Sequence, residues 1–325
     1  MPQSDIFDLD DPERFETAIR AGTAKVFVKS RGDFQGQLTR IDLQRLWMQR
    51  SDTNLPYIMN VANDPERAPL VFLADDDQAP VGANGRQVSP GEILVYRQGA
   101  EWQCSTSGPS RLATISLAHE DLAAAGKAIA GHDLATPLST YRTRPDPAAM
   151  TLLRALHKAA AELARTSPDV LATAGVARAL EQKLVRAMVA CLSSDAAAER
   201  KSCDWQHSRV IGRFERFLEA NRYQPVYLAE MCAAIGASER TLRTCCQEHF
   251  GMGPVRYLWL RRMHLARRAL LRADASAATV TTVATDHGFW ELGRFSVEYS
   301  ALFGESPSAS LRRPLDAMPA RNVRQ

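Results

Sequence analysis

The 325-residue chain reads as an α+β protein of two domains, a β-barrel or sandwich with trailing helices followed by an all-helical domain. Three observations carry that reading. Between about residues 25 and 117, short segments rich in Val, Ile, Leu and aromatics alternate with turn residues at near-regular intervals, the mark of an all-β unit. After Leu117 the apolar period becomes helical. Near the end, two stretches, 226–254 and 280–307, share one grammar. Each has a short apolar helix carrying Ala, a turn with Gly, a polar start to a second helix, and an aromatic-rich close in Phe-Gly with Pro three residues on.

Taken in order, the strand segments are KVFVKS, QLTRIDL, RLWMQR, PYIMNVA, LVFLAD, EILVYRQ, EWQCSTS and RLATISL. Asn84-Gly85 suits a tight hairpin turn, where both central residues need positive φ, and Pro90-Gly91 marks another turn. Trp47, Phe72, Tyr96 and Trp102 lie on these segments and are the candidates to line a pocket for an apolar or aromatic effector, with plain core as the alternative. Arg40, Arg45 and Arg50 recur on neighbouring strands and suit either an anionic effector or the surface. All seven His lie at 119 or later, so the strand region has no imidazole cluster for a transition metal, and no metal or other cofactor is expected.

Two amphipathic helices follow. PAAMTLLRALHKAAAELAR (147–165) groups Met150, Leu153, Leu156 and Leu163. LATAGVARALEQKLVRAMVACL (171–192) sets Val176, Leu180, Leu184 and Met188 on one stripe. These helices either cap the open end of the β unit or form a dimer seam; for a seam, that stripe is the candidate. SSDAAAERKS has no apolar face and reads as a linker. The expected division is 1–195, a linker at 196–204, a helical domain at 205–315 and a flexible tail at 316–325.

In the helical domain, Val210–Ala220 is amphipathic and Leu228–Ile235 opens the first repeat. Gly236 supplies its turn, and Ser238 is placed to cap the helix from Glu239. Leu242, Cys246 and Phe250 share one face at four-residue spacing, so Arg240, Arg243, Thr244 and Gln247 face outward with Glu239. In the second repeat Phe295, Tyr299 and Phe303 are the inner face, leaving Arg294, Ser296 and Val297 outside. A basic helix, 255–272, lies between the repeats as a rigid spacer. A second helix held by a turn, with outward Arg and Gln, is what a helix-turn-helix needs to reach base edges in a major groove.

The ordered set Leu228-Ala229, Ser238, Thr241-Leu242, Phe250-Gly251, Pro254, Tyr257, Arg262-Met263, Ala266-Arg267, Leu270, Val283-Ala284, Gly288-Phe289, Phe295-Ser296, Phe303-Gly304 and Ser306-Pro307 resembles the AraC/XylS family of bacterial transcription regulators. The resemblance covers about 110 residues and is denser in the second repeat. In the first, Thr244 and Cys246 stand where the family usually has Arg and Phe, which weakens base reading through the middle of that helix. The family implies base-facing positions at Arg240, Arg243, Thr244, Arg294, Ser296 and Val297. Gly293 and Val297 suit methyl groups or groove shape. It further implies a cupin-like, dimerising, effector-sensing N-terminal domain and action on promoter DNA with RNA polymerase, more often as an activator.

Charge and composition agree. From residue 205 onward there are 17 Arg, no Lys and 11 acidic residues, a net +6, against −3 for residues 1–204; a basic module suits phosphate. No stretch approaches the roughly 18 uninterrupted apolar residues of a membrane span, the acidic start MPQSDIFDLDDPERFE has no signal-like apolar run, and six cysteines form no CxxC pair. A cytoplasmic protein is therefore expected. GxSxG, P-loop, GxGxxG and HExxH motifs are absent from the sequence, so no enzyme is expected. The competing reading is a small-molecule-binding or enzymatic barrel with a DNA tether.

Overall fold

The structure, a computed structural model, describes residues 2–134, 137, 139–193, 201–202, 205–222, 224, 226–313 and 321–322. The chain opens with β1 (Gln3–Leu9), α1 (Pro12–Ala18), β2 (Thr23–Val28), β3 (Gly36–Leu43), β4 (Leu46–Thr53), β5 (Tyr57–Ala62) and β6 (Arg67–Leu73). It continues through β7 (Val81–Ala83), β8 (Arg86–Val88), β9 (Ile93–Val95), β10 (Glu101–Ser105), β11 (Ser110–Ala118), α2 (His119–Ala130) and β12 (Tyr141–Thr143). Then come α3 (Pro147–Thr166), α4 (Pro168–Ala172), α5 (Ala174–Ser193) and β13 (Lys201–Ser202). The helical half holds α6 (Trp205–Ala220), α7 (Leu228–Ile235), α8 (Glu239–Phe250), α9 (Pro254–Arg272), α10 (Val280–Asp286), α11 (Leu292–Phe303) and α12 (Pro307–Arg312), and β14 (Arg321–Asn322) ends it.

The eight expected strand segments are β2–β6 and β9–β11. The acidic start adds β1 and α1, the latter capped by Asp11, whose carboxylate accepts from the amides of Glu13 (2.8 Å) and Arg14 (3.4 Å). Asn84 (φ 49°) and Gly85 (φ 77°) form the turn between β7 and β8, both in the left-handed region that this hairpin demands. Of the expected linker, only 201–202 are described, as β13 beside β12; of the expected tail, only 321–322, as β14 beside β1. The remainder of both lies outside the described residues.

The strands form two sheets with antiparallel pairing, ordered β13-β12-β9-β6-β11-β4-β3-β1-β14 and β2-β5-β10-β7-β8. Among the described residues no ladder joins them, so the barrel is not closed; the arrangement is an open, two-sheet version of a cupin-like fold. Period-two alternation sorts the side chains into three cores. Leu38, Met59, Val61, Val71 and Leu112 meet between the sheets. Ile41, Met48, Leu70, Phe72 and Ile115 point the other way, against α2–α5. Phe27 on β2 and Ile58 on β5 leave the five-stranded sheet and join the core of the helical half.

This layering corrects the choice of dimer seam. Leu184 and Met188 are fully buried between α5 and its own sheet, and Leu180 packs against the same core, with Val176 half-buried beside it. The stripe caps the β unit, the other reading of those helices.

The two halves also meet along α9. Arg267 Nη2 and Asp11 Oδ2 lie 2.6 Å apart, both buried. Arg268 Nη2 reaches Glu16 at 2.5 Å, and His264 Nε2 lies 3.0 Å from the Val28 carbonyl.

Candidate nucleic-acid interface

Local chemistry fixes α8, the second helix of the first repeat, and both α10 and α11 of the second. The Ser238 hydroxyl accepts from the Thr241 amide (3.1 Å) at the start of α8, and the Thr279 hydroxyl does the same for Thr282 (3.1 Å) at α10. Left-handed glycines, Gly251 and Gly304, end α8 and α11. Leu242, Cys245, Cys246 and Phe250 have no exposure, and Phe250 stacks on Tyr257 of α9 with centroids 3.8 Å apart. Burial pushes the Cys245 and Cys246 thiols up, so neither is an activated thiolate.

What remains outside is the expected set. Arg240, Arg243, Thr244 and Gln247 are exposed on α8, and Arg294 and Val297 on α11. Arg243 is drawn to Glu239 (2.6 and 2.8 Å). Ser296 is half-buried and its hydroxyl donates to the Leu292 carbonyl at 3.0 Å, so that O–H is engaged within its own helix. Arg294 has more support than the sequence suggests. Trp259 Nε1 donates to Glu298 Oε2 (2.7 Å), and Glu298 Oε1 accepts from Arg294 Nε (2.8 Å). The hydrogen bond from Arg294 holds the Glu298 carboxyl below its usual range. Trp290, immediately before the α11 cap, is 71% exposed, and Val297 is similarly exposed; sequence reading passed over Trp290, though an aromatic at the polar opening of that helix was the available signal.

The family model described as a helix-turn-helix domain matches residues 231–313. The chain is 43% identical over 96 residues to the probable thc operon regulatory protein of Rhodococcus erythropolis, covering 30% of this chain and 29% of that one. It is 36% identical over 101 residues to XylDLEGF operon transcriptional activator 3 of Pseudomonas putida (31% and 30%). A third relative, XylDLEGF operon transcriptional activator 2 of the same organism, is 30% identical over 129 residues, which is 40% of this chain and 78% of that protein. The chain belongs to the AraC/XylS family. Its matches span less than a third of the length of the first two relatives. Among solved structures, the AraC-like transcriptional activator CuxR aligns at a TM-score of 0.38 and 16% identity, over 75% of this chain and 86% of that one.

The N-terminal half of this AraC/XylS-family protein holds a cavity of about 70 Å³ between its sheets. Of the four aromatics expected there, Trp47 and Trp102 line it. Tyr96 is a correction, since it is buried behind Trp102, stacked at 4.9 Å. Phe72 is a second correction: alternation along β6 sends Val71 to the cavity and Phe72 to the opposite face, edge-on to His157 of α3 at 5.5 Å. Arg40, Arg45 and Arg50 pair with Asp5, Glu181 and Asp52 or Asp75, so none of them serves the cavity.

Two other arginines do. The guanidinium carbons of Arg20 and Arg67 each lie 3.6 Å from the Trp47 ring centroid, which requires one on each face. Arg67 is buried, with Nε and Nη2 bonded only to Ser116 and the Arg45 carbonyl. Among the described residues no carboxylate lies within ion-pair distance of it, and burial lowers its pKa to about 10. Asn63 Oδ1 accepts from Trp102 Nε1 (3.0 Å), while its Nδ2 is buried without a partner. These residues come from turns and a strand edge, where no sequence period points inward.

Among the described residues no helix is long and apolar enough to cross a membrane.

Proposed function

We propose that this protein is a sequence-specific DNA-binding transcription regulator that activates its target promoters in response to a small molecule held by its N-terminal half. The observation that carries this is the pair of capped helices, α8 and α11, presenting Arg240, Arg243, Thr244, Gln247, Arg294 and Val297 from one family-matched domain. Arg suits guanine, Gln suits adenine, and Val297 with Trp290 suits a thymine methyl. Activation is supported by the names its relatives carry. Residues 1–195 act as the sensing domain and 205–315 as the DNA-binding domain, in a cytoplasmic homodimer that meets RNA polymerase at the promoter. The cavity favours an effector with an apolar, planar body and one anionic group, because among the described residues no carboxylate lies within ion-pair distance of Arg67 and the unpaired Asn63 Nδ2 is a donor.

The test is selection of bound sequences from random duplexes by the full chain, followed by reporter transcription from the selected site. Enrichment of one motif and increased transcription are the expected results. Failure to enrich any motif would sink the reading; repression from the site would overturn the activator part alone.

A further inference from the structure

A second cleft, of about 390 Å³, opens where the N-terminal half meets α9; its size falls within the ~300–1,000 Å³ of small-molecule sites. The N-terminal half contributes Glu16 of α1 and Lys25 of β2. The helical half contributes Arg222, just past α6, and Arg261, Arg268 and Arg272 of α9. Among the described residues, five cationic side chains thus line this space against the one carboxylate of Glu16.

The cations gather at two points. Glu219 of α6 takes three of them: Lys25 at 2.9 Å, Arg261 at 2.5 Å and Arg222. Glu215 shares Arg261 at 2.8 Å, so this point sets three cations against two carboxylates. Burial, with Arg261, Arg222 and Arg268 close by, lowers the Lys25 pKa, the mark of like charges crowded together. At the second point Glu16 holds Arg268 at 2.5 Å, and Glu13 lies 3.7 Å from Arg268 and 3.8 Å from Arg272. Burial raises the Glu13 pKa to about 7, so near neutral pH that carboxyl supplies only part of a charge. Both points keep a positive surplus.

The donors here are accessible. The side chains of Lys25, Arg222 and Arg272 are 35%, 34% and 68% exposed. Among the described residues, Lys25 uses one of its three N–H groups and Arg222 one of its five, while Arg272 has only the distant approach to Glu13. An ammonium and guanidinium forks presented to one cleft match phosphate oxygens. We propose that this cleft is a small-molecule site, separate from the cavity between the sheets, that takes a ligand carrying two phosphate groups, one met by Lys25 and Arg222 and the other by Arg272. Because these residues belong to both halves, the occupant stabilises their docked arrangement over any separated one.

The experiment titrates the full chain by calorimetry, at matched ionic strength, with pyrophosphate and fructose 1,6-bisphosphate, and with fructose 6-phosphate as the one-phosphate control. At least one two-phosphate probe should bind saturably, and about tenfold or more tightly than the control. Lys25→Gln and Arg272→Gln should each weaken that binding about tenfold, the effect of one charge-assisted hydrogen bond. Glu219 keeps Arg222 and Arg261 when Lys25 is replaced, and Arg272 is exposed, so both variants should fold, as melting curves will show. If Lys25→Gln does not fold, Arg272→Gln carries the test alone. The proposal fails if neither probe binds, if the control binds equally well, or if a folded variant binds as tightly as the parent. Binding lost in Arg294→Ala and kept in these two would move the phosphates to the DNA-facing helices and overturn it as well.

Discussion

Arg294 is the residue through which the interface is most directly tested. Its guanidinium is exposed but not loose, because Trp259 of the spacer helix orients Glu298, and Glu298 orients Arg294. Orientation before binding reduces the entropy lost when a side chain engages a base. Arg240 is likewise exposed, on α8. Arg294→Ala and Arg240→Ala are each expected to weaken binding to the selected site by roughly 1–3 kcal/mol, with little change on random duplex. Gel-shift titrations on both DNAs check this; equal losses on the two would reassign the arginines to phosphate. At this scale the outward residues were legible because four-residue spacing of Leu242, Cys246 and Phe250 leaves a helix only one way to face. The cavity was less legible. Trp47 and Trp102 could be named as aromatics on strands, but the pairing of Arg20 and Arg67 about one ring depends on residues brought together from distant turns.

Among the elements, α5 shows how a correct period can still be misassigned. Its stripe is real, yet an apolar stripe says only that something covers it, and here the cover is the chain's own sheet. Leu184→Ala should therefore cost about 2–5 kcal/mol of stability, as a buried Leu does, and leave self-association unchanged. Thermal melts with sedimentation separate the cases; weakened association at unchanged stability would restore the seam. The β7–β8 hairpin gives the opposite lesson. Asn84-Gly85 was readable as a turn, but its role as a domain contact was not. A Cβ on Gly85 would overlap the His249 ring of α8, and Gly85 already sits at φ 77°. Gly85→Ala should destabilise the chain by ~1–3 kcal/mol through backbone strain and displaced packing, seen as a lower Tm. A variant as stable as the parent would show that the hairpin gives way freely. Spacer helix α9 completes the point. Its arginines read as charge for phosphate, whereas Arg267 and Arg268 are turned to Asp11, Glu13 and Glu16 of the N-terminal half. Composition reports how much charge a helix carries, and only the tertiary partner decides where it points.

Across the whole molecule, stability should depend on pH through histidines buried at the joints between layers. His157 lies between the sheet and α3, and His249 and His264 lie where the two halves meet. Burial lowers their pKa values to about 4, about 4 and about 3. In the unfolded chain each takes up a proton near pH 6.5, and in the folded chain only far below it. Unfolding therefore binds protons between those limits, and the histidine contribution is whole above about pH 6.5 and is lost as pH falls towards 4. Glu13 acts in the opposite sense. Burial outweighs the nearby Arg268 and raises its pKa to about 7, so the folded state holds a proton that the unfolded chain releases near pH 4.5. Its contribution is lost as pH rises from 4.5 to 7. Between pH 5 and 6.5 three imidazoles oppose this carboxyl, each with a slope of up to about 1.4 kcal/mol per pH unit. The protein is thus expected to lose stability steeply from pH 7 to pH 5, measured as urea midpoints across that range. Glu13→Gln removes the opposing group, so the fall should steepen. His264→Gln removes one proton taken up on unfolding, so the fall should flatten. A stability that stays level or rises towards pH 5 would mean that these rings are hydrated or charged in the folded protein, and that the two halves are not joined through them.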